Sequence, residues 1–196
     1  MIKYNIADYV MPMDIVKTNS ERNKSERNRY KDDKHALKEC IYKWLYYDGY
    51  FDGCGFSEED MKFFKNGFSP IRINAKGNEV TLFTVHHIKP LICGGETRPS
   101  NLLPLPRSFH TFIHEKIVNP QLDFLEEGDE ATIVAMPDFS KITLPMAMDV
   151  GFRIQYHKFL VDKYRLIPHH LIDPKTCELK ERAYREWYNN QFKNIH

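Results

Sequence analysis

Residues 80–118 read VTLFTVHHIKPLICGGETRPSNLLPLPRSFHTFIHEKIV, and this stretch decides the fold of the chain. Val80–His86 alternates and is rich in β-branched residues, which is typical of a strand. Asn101–Leu103 predicts a short second strand, which two prolines then interrupt. Pro106 also suits the first turn of a helix over Arg107–Val118, because proline is tolerated there. The stretch therefore predicts two strands followed by a helix.

The histidines of this stretch are spaced like the ligands of one metal ion. His110 and His114 are four residues apart, so on a helix they lie on one face, one turn apart. Neighbouring residues of a strand point to opposite faces, so His86 can face a metal while His87 faces a substrate phosphate. We therefore predict that His86, His110 and His114 hold one divalent metal ion and leave a coordination position open for a phosphate oxygen. Imidazole ligands favour Zn, Ni, Mn or Co, and Mg is compatible with turnover.

Two further residues receive roles beside the metal. His87 is the predicted general base, because a neutral imidazole with a pKa near working pH can take a proton from an attacking water. Asn101 is a predicted positioning residue whose amide pins the loop backbone or orients the base. Gly94 and Gly95 allow the loop between the two strands to turn back tightly.

A second histidine pair, His169-His170, provides an internal comparison. No Gly-Gly turn, no asparagine and no later pair of histidines four residues apart follow it. We therefore interpret this pair as structural or as the entry to a helix.

The ordered set of elements resembles the HNH (ββα-metal) endonuclease superfamily and is especially similar to the nuclease domains of DNase-type colicins and pyocins. The similar stretch runs from residue 66 to residue 117, about a quarter of the chain. It contains a Gly-Phe-Ser-Pro lead-in at Gly67–Pro70, the HH-x-KP start, the GGE turn, the asparagine and the closing H-x-x-x-H. The resemblance implies a fold in which two strands and a helix clamp one divalent metal ion.

The resemblance also implies a reaction. That reaction is hydrolysis of DNA phosphodiester bonds, with His87 and Asn101 as the catalytic residues and the three other histidines around the metal. Lys89 and Arg107 are the predicted DNA-binding residues. DNA is the expected partner, together with a cognate immunity protein if the chain is a bacterial toxin or effector DNase.

Two other functions are compatible with the same residues. The first alternative keeps the same chemistry and makes the chain a restriction, phage or mobile-element HNH endonuclease. In another class, it is a zinc module that binds nucleic acid or protein without cleaving, with Cys93 as a fourth ligand. The second alternative leaves His87 and Asn101 without a role.

Composition bounds these interpretations. The chain has 196 residues, of which 42% are hydrophobic, so it can bury a core. Its formal net charge is only +1, so any basic surface for nucleic acid is local. The residues from Lys17 to Lys38 carry a cationic excess, which we interpret as a solvated helix face in preference to a DNA-binding arm. The four cysteines form no CxxC pair, which excludes a paired-cysteine zinc knuckle and favours reduced thiols.

The sequence contains no predicted membrane segment. The N-terminus carries an acid at Asp8 and lacks a long apolar run, so we predict no signal peptide and no membrane partner. The expected location is the cytoplasm, or a target cell into which the chain is delivered without a cleaved signal peptide.

The predicted fold class is α+β, a mainly helical chain with an embedded ββα-metal motif. Its zones are an N-terminal helical region (1–67), the nuclease core (68–118) and a C-terminal α/β extension packed on the core (119–196). Outside the core, the patterns predict a helix over Ala36–Leu45, a capped helix start at Ser57, strands over Ala131–Met136 and Lys141–Leu144, and helices over Phe152–Leu166 and from Asp173-Pro174 through Trp187.

Overall fold

The chain folds into a mixture of helices and small antiparallel sheets, which confirms the expected mixed class. The structure, a computed structural model, describes residues 2–29, 34–123, 125–166 and 180–192. The strands are β1 (Val10–Val16), β2 (Ile71–Ile73), β3 (Glu79–Thr81), β4 (Phe83–His87), β5 (Leu102–Pro106) and β6 (Glu130–Pro137). The helices are α1 (Ser20–Arg29), α2 (Lys34–Tyr47), α3 (Glu58–Lys65), α4 (Arg107–Phe112), α5 (Asn119–Leu122), α6 (Leu144–Met148), α7 (Val150–Tyr164) and α8 (Glu181–Phe192).

The β4–β5 hairpin, helix α4 and the π-helical turn after it carry the histidines of the motif. β4 pairs antiparallel with β5 in a register that sets Phe83 opposite Pro106 and His87 opposite Leu102. The chain enters α4 directly after β5, and a π-helical turn over Ile113–Val118 joins α4 to α5. The prediction of two strands followed by a helix agrees with these elements, except that the predicted strand Val80–His86 is divided at Leu82 between β3 and β4.

Strand β5 continues through Pro104 and Pro106, where the sequence predicts an interruption. The amide of Ile88 donates to the carbonyl of Asn101 at 2.9 Å, which marks one hydrogen-bonded pair of the hairpin. Hydrogen-bonded and non-hydrogen-bonded pairs alternate along an antiparallel ladder, so both prolines fall at positions that donate nothing to β4. A proline can occupy such a position without breaking the ladder, which explains why the strand is longer than predicted.

Two apolar clusters meet at this hairpin. The first contains Leu105 of β5 together with Phe109 and Phe152, and it packs α4 and α7 against the β1–β6 sheet. The second contains Phe83 of β4, and it packs α2 and α3 against the hairpin. At the centre of this second cluster, the ring of Phe51 lies parallel to that of Phe64, with 3.7 Å between the ring centroids. The hairpin is therefore held between helices contributed by different parts of the chain.

The first zone is not helical throughout, because β1 lies within it. β1 pairs antiparallel with β6, from Val10 opposite Pro137 to Val16 opposite Glu130. The strand that completes this sheet comes from the C-terminal half of the chain. A local sequence pattern does not report such a distant partner, so the prediction of an N-terminal helical region missed this strand.

The predicted strand over Lys141–Leu144 is wrong. Lys141 ends a turn over residues 139–141, and its side chain pairs with Asp138 at 2.9 Å. Leu144 then begins α6, with Pro145 in its first turn. Proline lacks the N–H that a strand donates but is tolerated in a first helical turn, so it favours the helix.

The other elements predicted outside the motif are confirmed where the structure describes them. β6 contains the predicted strand, α2 and α7 cover the predicted helices, and Ser57 caps α3 in a reciprocal pair of bonds with Asp60. The predictions for His169-His170 and for a helix start at Asp173-Pro174 lie outside the described residues. None of the helices in the described part of the chain is long and apolar enough to cross a membrane.

Candidate metal centre

Three of the histidines come together in the fold. The ligand-capable nitrogens of His86, His110 and His114 all lie within 4.8 Å of one another. The ring centroid of His86 is 5.1 Å from that of His110 and 5.2 Å from that of His114, and the two helical rings are 4.7 Å apart. Zinc binds imidazole nitrogens at about 2.0–2.1 Å in a tetrahedral arrangement, so two ligand nitrogens lie about 3.4 Å apart. The three rings would have to close in on one cation by up to about 1.4 Å between nitrogens for it to contact all three.

Strand and helix geometry explain why these side chains meet. His86 stands on β4, on the side of the hairpin that α4 covers, while His110 lies on α4 itself. His114 follows one turn later, in the π-helical turn. π-Helical turns are rare and occur frequently at functional sites. Phe139 closes a further side of the cluster, with its ring centroid 5.5 Å from that of His86.

The environment of His86 is unusual for a polar side chain. His86 is 0% exposed, yet neither ring nitrogen has a hydrogen-bond partner among the described residues. A buried polar group without a partner costs about 1–3 kcal/mol, and most native proteins contain few of them. Two such nitrogens on one ring, beside two further imidazoles, fit a site that a cation completes.

Burial keeps all three rings neutral near pH 7. It lowers the pKa of His86 well below the usual 6.5 and lowers the pKa of His110 to about 4. Burial is also the main cause of the lowered pKa of His114, and the positive charge of Arg27 lowers that pKa further. The neutral imidazole is the form that offers a lone pair to a metal, so the electrostatics agree with the geometry.

His87 lies outside this cluster and contacts a residue that the sequence did not single out. Its Nε2 is 3.0 Å from the hydroxyl of Thr97. The backbone N–H of Thr97 in turn donates to a carboxylate oxygen of Glu26 on α1, at 3.1 Å. Helix α1 therefore holds the loop segment that contacts the predicted base.

A cleft of about 210 Å³ opens beside His87, and its lining includes Arg27, Lys38 and Thr97. The two cations come from α1 and α2, within the stretch that we interpreted as a solvated helix face. That interpretation fits most of α1, whose side chains are largely exposed, but it does not account for the positions of these two. The cationic density of the stretch is the one sequence signal that pointed to them.

Asn101 fastens the loop that connects the two strands. Its side-chain oxygen accepts from the N–H of Lys89 at 2.7 Å, and its amide nitrogen donates to the carbonyls of Lys89 and Glu96 at 3.0 and 2.8 Å. The side chain is buried, so these bonds are shielded from water. The sequence predicts that this amide either pins the loop backbone or orients the base. Its contacts are those expected for pinning the loop backbone.

Gly95 belongs to the same loop and has a steric role. Its N–H donates to the carbonyl of Pro90 at 3.0 Å, which brings the two backbones close together. A β-carbon at this position would lie 1.9 Å from the carbonyl oxygen of Lys89. Only glycine fits here, which agrees with the predicted tight return of the loop.

The two predicted DNA-binding residues have intramolecular partners. The ammonium of Lys89 donates to the carbonyl of Asp14 on β1 at 2.9 Å. Arg107 is exposed at the start of α4, where its guanidinium donates to the carbonyl and the hydroxyl of Thr81 at 3.0 and 2.8 Å. Arg107 also contributes to the lowered pKa of His110, so its charge reaches the histidine cluster.

Cys93 is not part of the cluster of potential ligands found among the described residues. Its side chain is buried in the first apolar cluster, and burial raises the pKa of its thiol to about 11. A thiol that resists ionisation in this way is a poor metal ligand. Cys40, Cys54 and Cys93 are all free, as expected for reduced thiols.

Comparison with known proteins found no relative of this chain. No family model matched the chain, and searches for similar curated proteins and for similar solved structures found no match.

Proposed function

We propose that this chain is a metal-dependent endonuclease of the HNH type that hydrolyses DNA phosphodiester bonds. The observation that carries the proposal is the buried imidazole of His86, which has no hydrogen-bond partner among the described residues and lies beside two other neutral imidazoles. A divalent cation would supply the missing partner. The resemblance of the same residues to the HNH pattern supports the choice of reaction.

His86, His110 and His114 would hold the cation. Three nitrogen ligands without a cysteine leave coordination positions open, which is typical of catalytic sites and not of closed structural ones. When bound, the cation polarises a phosphate oxygen and stabilises the leaving oxygen. Imidazole ligands favour Zn, Ni, Mn or Co, and Mg is compatible with turnover.

His87 would act as the general base. The contact with Thr97 is compatible with the tautomer that this role needs: if Nε2–H donates to the Thr97 hydroxyl, Nδ1 carries the lone pair that would take a proton from the attacking water. Asn101 keeps the loop that bears Thr97 fixed to the hairpin. Thr97 and Asn101 are therefore positioning residues, and His87 is the residue that exchanges a proton.

Local charge supports a phosphate substrate in spite of the near-neutral whole chain. Arg27 and Lys38 line the cleft beside His87, and Arg107 lies close enough to His110 to affect its pKa. Cations that converge on a cleft raise the local concentration of a polyanion.

Supercoiled plasmid tests the proposal. The full chain is incubated at neutral pH with Zn, Ni, Mn, Co or Mg, beside an EDTA control, His87→Ala and Trp44→Ala. Trp44 is exposed on α2, away from the histidines, and serves as the matched control. We expect metal-dependent nicking that His87→Ala removes and Trp44→Ala keeps. Tight zinc binding without cleavage in any ion would overturn the proposal and identify a zinc module.

For the biological role we propose a bacterial toxin or effector DNase, on the resemblance to colicin-type nuclease domains alone. Such an enzyme arrests the growth of a cell that expresses it, unless an immunity protein is present. Expression of this chain, with and without a small acidic protein encoded by a neighbouring gene, distinguishes this role from that of a restriction, phage or mobile-element endonuclease. Growth arrest that the neighbouring protein relieves would support the toxin role.

A further inference from the structure

A second groove lies next to the His87 cleft, between helix α2 and strand β4. Its volume is about 440 Å³, which falls in the range of sites that hold a small molecule or one nucleotide. Its lining includes Lys38, Tyr42, Phe68, Thr84, Val85 and Arg107. Lys38 and Val85 also line the His87 cleft, so the groove and the cleft share a wall.

The floor of the groove is the outer edge of β4. The bonds from Arg107 to Leu82 and from Ile88 to Asn101 mark the hydrogen-bonded pairs of the hairpin, so the backbone of Val85 points away from β5. The buried hydroxyl of Thr84, in the lining of the same groove, has no hydrogen-bond partner among the described residues. The groove therefore offers polar groups that a ligand can satisfy.

The charge of the groove favours an anion. Lys38 and Arg107 stand on two of its sides, on α2 and at the start of α4. Glu39 also lines it, but the Glu39 carboxylate is paired with the ammonium of Lys43 at 2.5 Å. The charged side chains of the lining are thus two cations and this one carboxylate.

Phe68 gives the groove an exposed aromatic face. The side chain is 57% exposed, while its backbone N–H is fixed by a 2.9 Å bond to Phe63. Gly67 adopts a φ of +87°, and a β-carbon there would lie 2.3 Å from the side chain of Glu39. The glycine lets the chain pass close to α2, and Phe68 is thereby held at the rim of the groove.

We propose that this groove binds one unpaired nucleotide of a DNA strand, next to the phosphate that lies at His87. The base would stack on Phe68, its polar edge would meet the backbone of Val85, and the flanking phosphates would lie near Lys38 and Arg107. Residues 85 and 87 are two positions apart on an extended strand, about 7 Å, so the two sites are adjacent. The inference rests on the proposed function and names its substrate class, an unpaired strand.

A duplex does not fit this arrangement. The groove holds about one nucleotide, and a base that stacks on a protein ring has left the stack of its own helix. Stacking on an aromatic side chain tolerates any base, because every base has a π face. We therefore expect a preference for unpaired strands without a strong sequence preference.

Binding of labelled oligonucleotides tests the proposal. The full chain with zinc, carrying His87→Ala so that the strand stays intact, is titrated with a single strand, a blunt duplex and a duplex with one unpaired nucleotide. Phe68→Ala should weaken binding of the single strand and of the duplex with one unpaired nucleotide by about 5- to 150-fold, the equivalent of 1–3 kcal/mol per stacked base. Binding of the blunt duplex should change less than about twofold.

Two further variants and a second ligand complete the test. Phe68→Tyr should retain affinity, and Trp44→Ala, which removes a side chain 64% exposed elsewhere on α2, should have no effect. An RNA strand with the same dependence on Phe68 would support a site for unpaired nucleotides of either sugar. Equal weakening of the duplex, or no effect of Phe68→Ala on single strands, would overturn the proposal. Phe68-dependent binding without cleavage of either plasmid or single strand by the unaltered chain would overturn the nuclease function and leave the groove site standing.

Discussion

The two faces of the β4–β5 hairpin place neighbouring histidines in opposite environments. On the α4 face, His86 is fully buried against two other imidazoles and Phe139. On the other side, His87 is half-buried, contacts the hydroxyl of Thr97 and lines an open cleft with two cations. The alternation of a strand thus places one residue type in a buried position suited to a metal ligand and in a solvent-accessible position suited to a base, at consecutive residues.

The largest expected effect is on the buried side, in His114→Ala. Removing one of three ligands should lower zinc affinity by more than about 100-fold, because even changes behind the ligands cost about 10- to 100-fold. Cleavage should be lost with it and partly rescued at high metal concentration. Calorimetric zinc titration and plasmid nicking over a range of metal concentrations measure both effects. Zinc affinity equal to that of the unaltered chain would remove His114 from the site.

On the open side, His87→Ala should separate chemistry from metal binding. We expect near-normal zinc affinity and DNA binding, and a decrease in cleavage of about 10²–10⁴-fold, the usual contribution of a general base. The same titration and nicking assays apply. If both histidine variants lose metal affinity equally, His87 is itself a ligand and the assignment of base and ligand has to be abandoned.

A smaller effect is expected from substitution of Thr97, which tests whether its hydroxyl orients the predicted base. Thr97→Val keeps the shape of the side chain and removes the hydroxyl that contacts His87. We expect the cleavage rate to fall about tenfold, the equivalent of one hydrogen bond, with KM and zinc affinity unchanged. Thr97→Ser should restore activity. A serine variant as slow as the valine variant would assign Thr97 a role in packing instead of in orienting the base.

The smallest effect concerns the stability of the metal-free protein in mild acid. Burial lowers the pKa of His110 and of His157 to about 4, against a usual value of 6.5. Between these values the unfolded chain binds more protons than the folded one. The free energy of unfolding is therefore highest above about pH 6.5 and decreases as the pH falls towards 4. Thermal unfolding in EDTA at decreasing pH measures this loss.

Zinc distinguishes the two buried histidines. The increase in Tm that zinc causes should be present at neutral pH and lost in acid, because protons compete for the ligand nitrogens. His157 lies among Phe112 and Trp187, away from the cluster. His157→Gln should therefore reduce the pH dependence of the metal-free protein and keep the effect of zinc. A zinc effect that persists at about pH 4 would show that the metal binds elsewhere.

The convergence of His86, His110 and His114 could be predicted because it depends on local rules. Strand alternation fixed the direction of His86, and a spacing of four residues placed the other two on one helix face. Gly95 was similarly predictable, since a tight return of the loop demands a residue without a β-carbon. In each of these cases the sequence distance is short and the geometry is set by the backbone.

Contacts between distant segments could not be predicted in this way. Thr97 meets Glu26 across 71 residues, and β1 pairs with a strand near the other end of the chain. No periodic pattern records that Arg27 and Lys38 line the cleft beside His87. The strand predicted at Lys141–Leu144 is wrong for a local reason. Leu144 begins a helix with a proline in its first turn, although the residues themselves resemble an apolar extended run.

The two prolines of β5 also determine how the molecule can associate with itself. Their nitrogens point away from β4, towards the outer edge of β5, and both residues are buried. Ordinary residues there would place two N–H groups out of reach of water, where each would need a partner. With prolines, the outer edge of β5 carries no donor at these positions and is a poor template for a further strand. Of the two outer edges of this hairpin, the edge of β4 is therefore the one better able to pair with another chain.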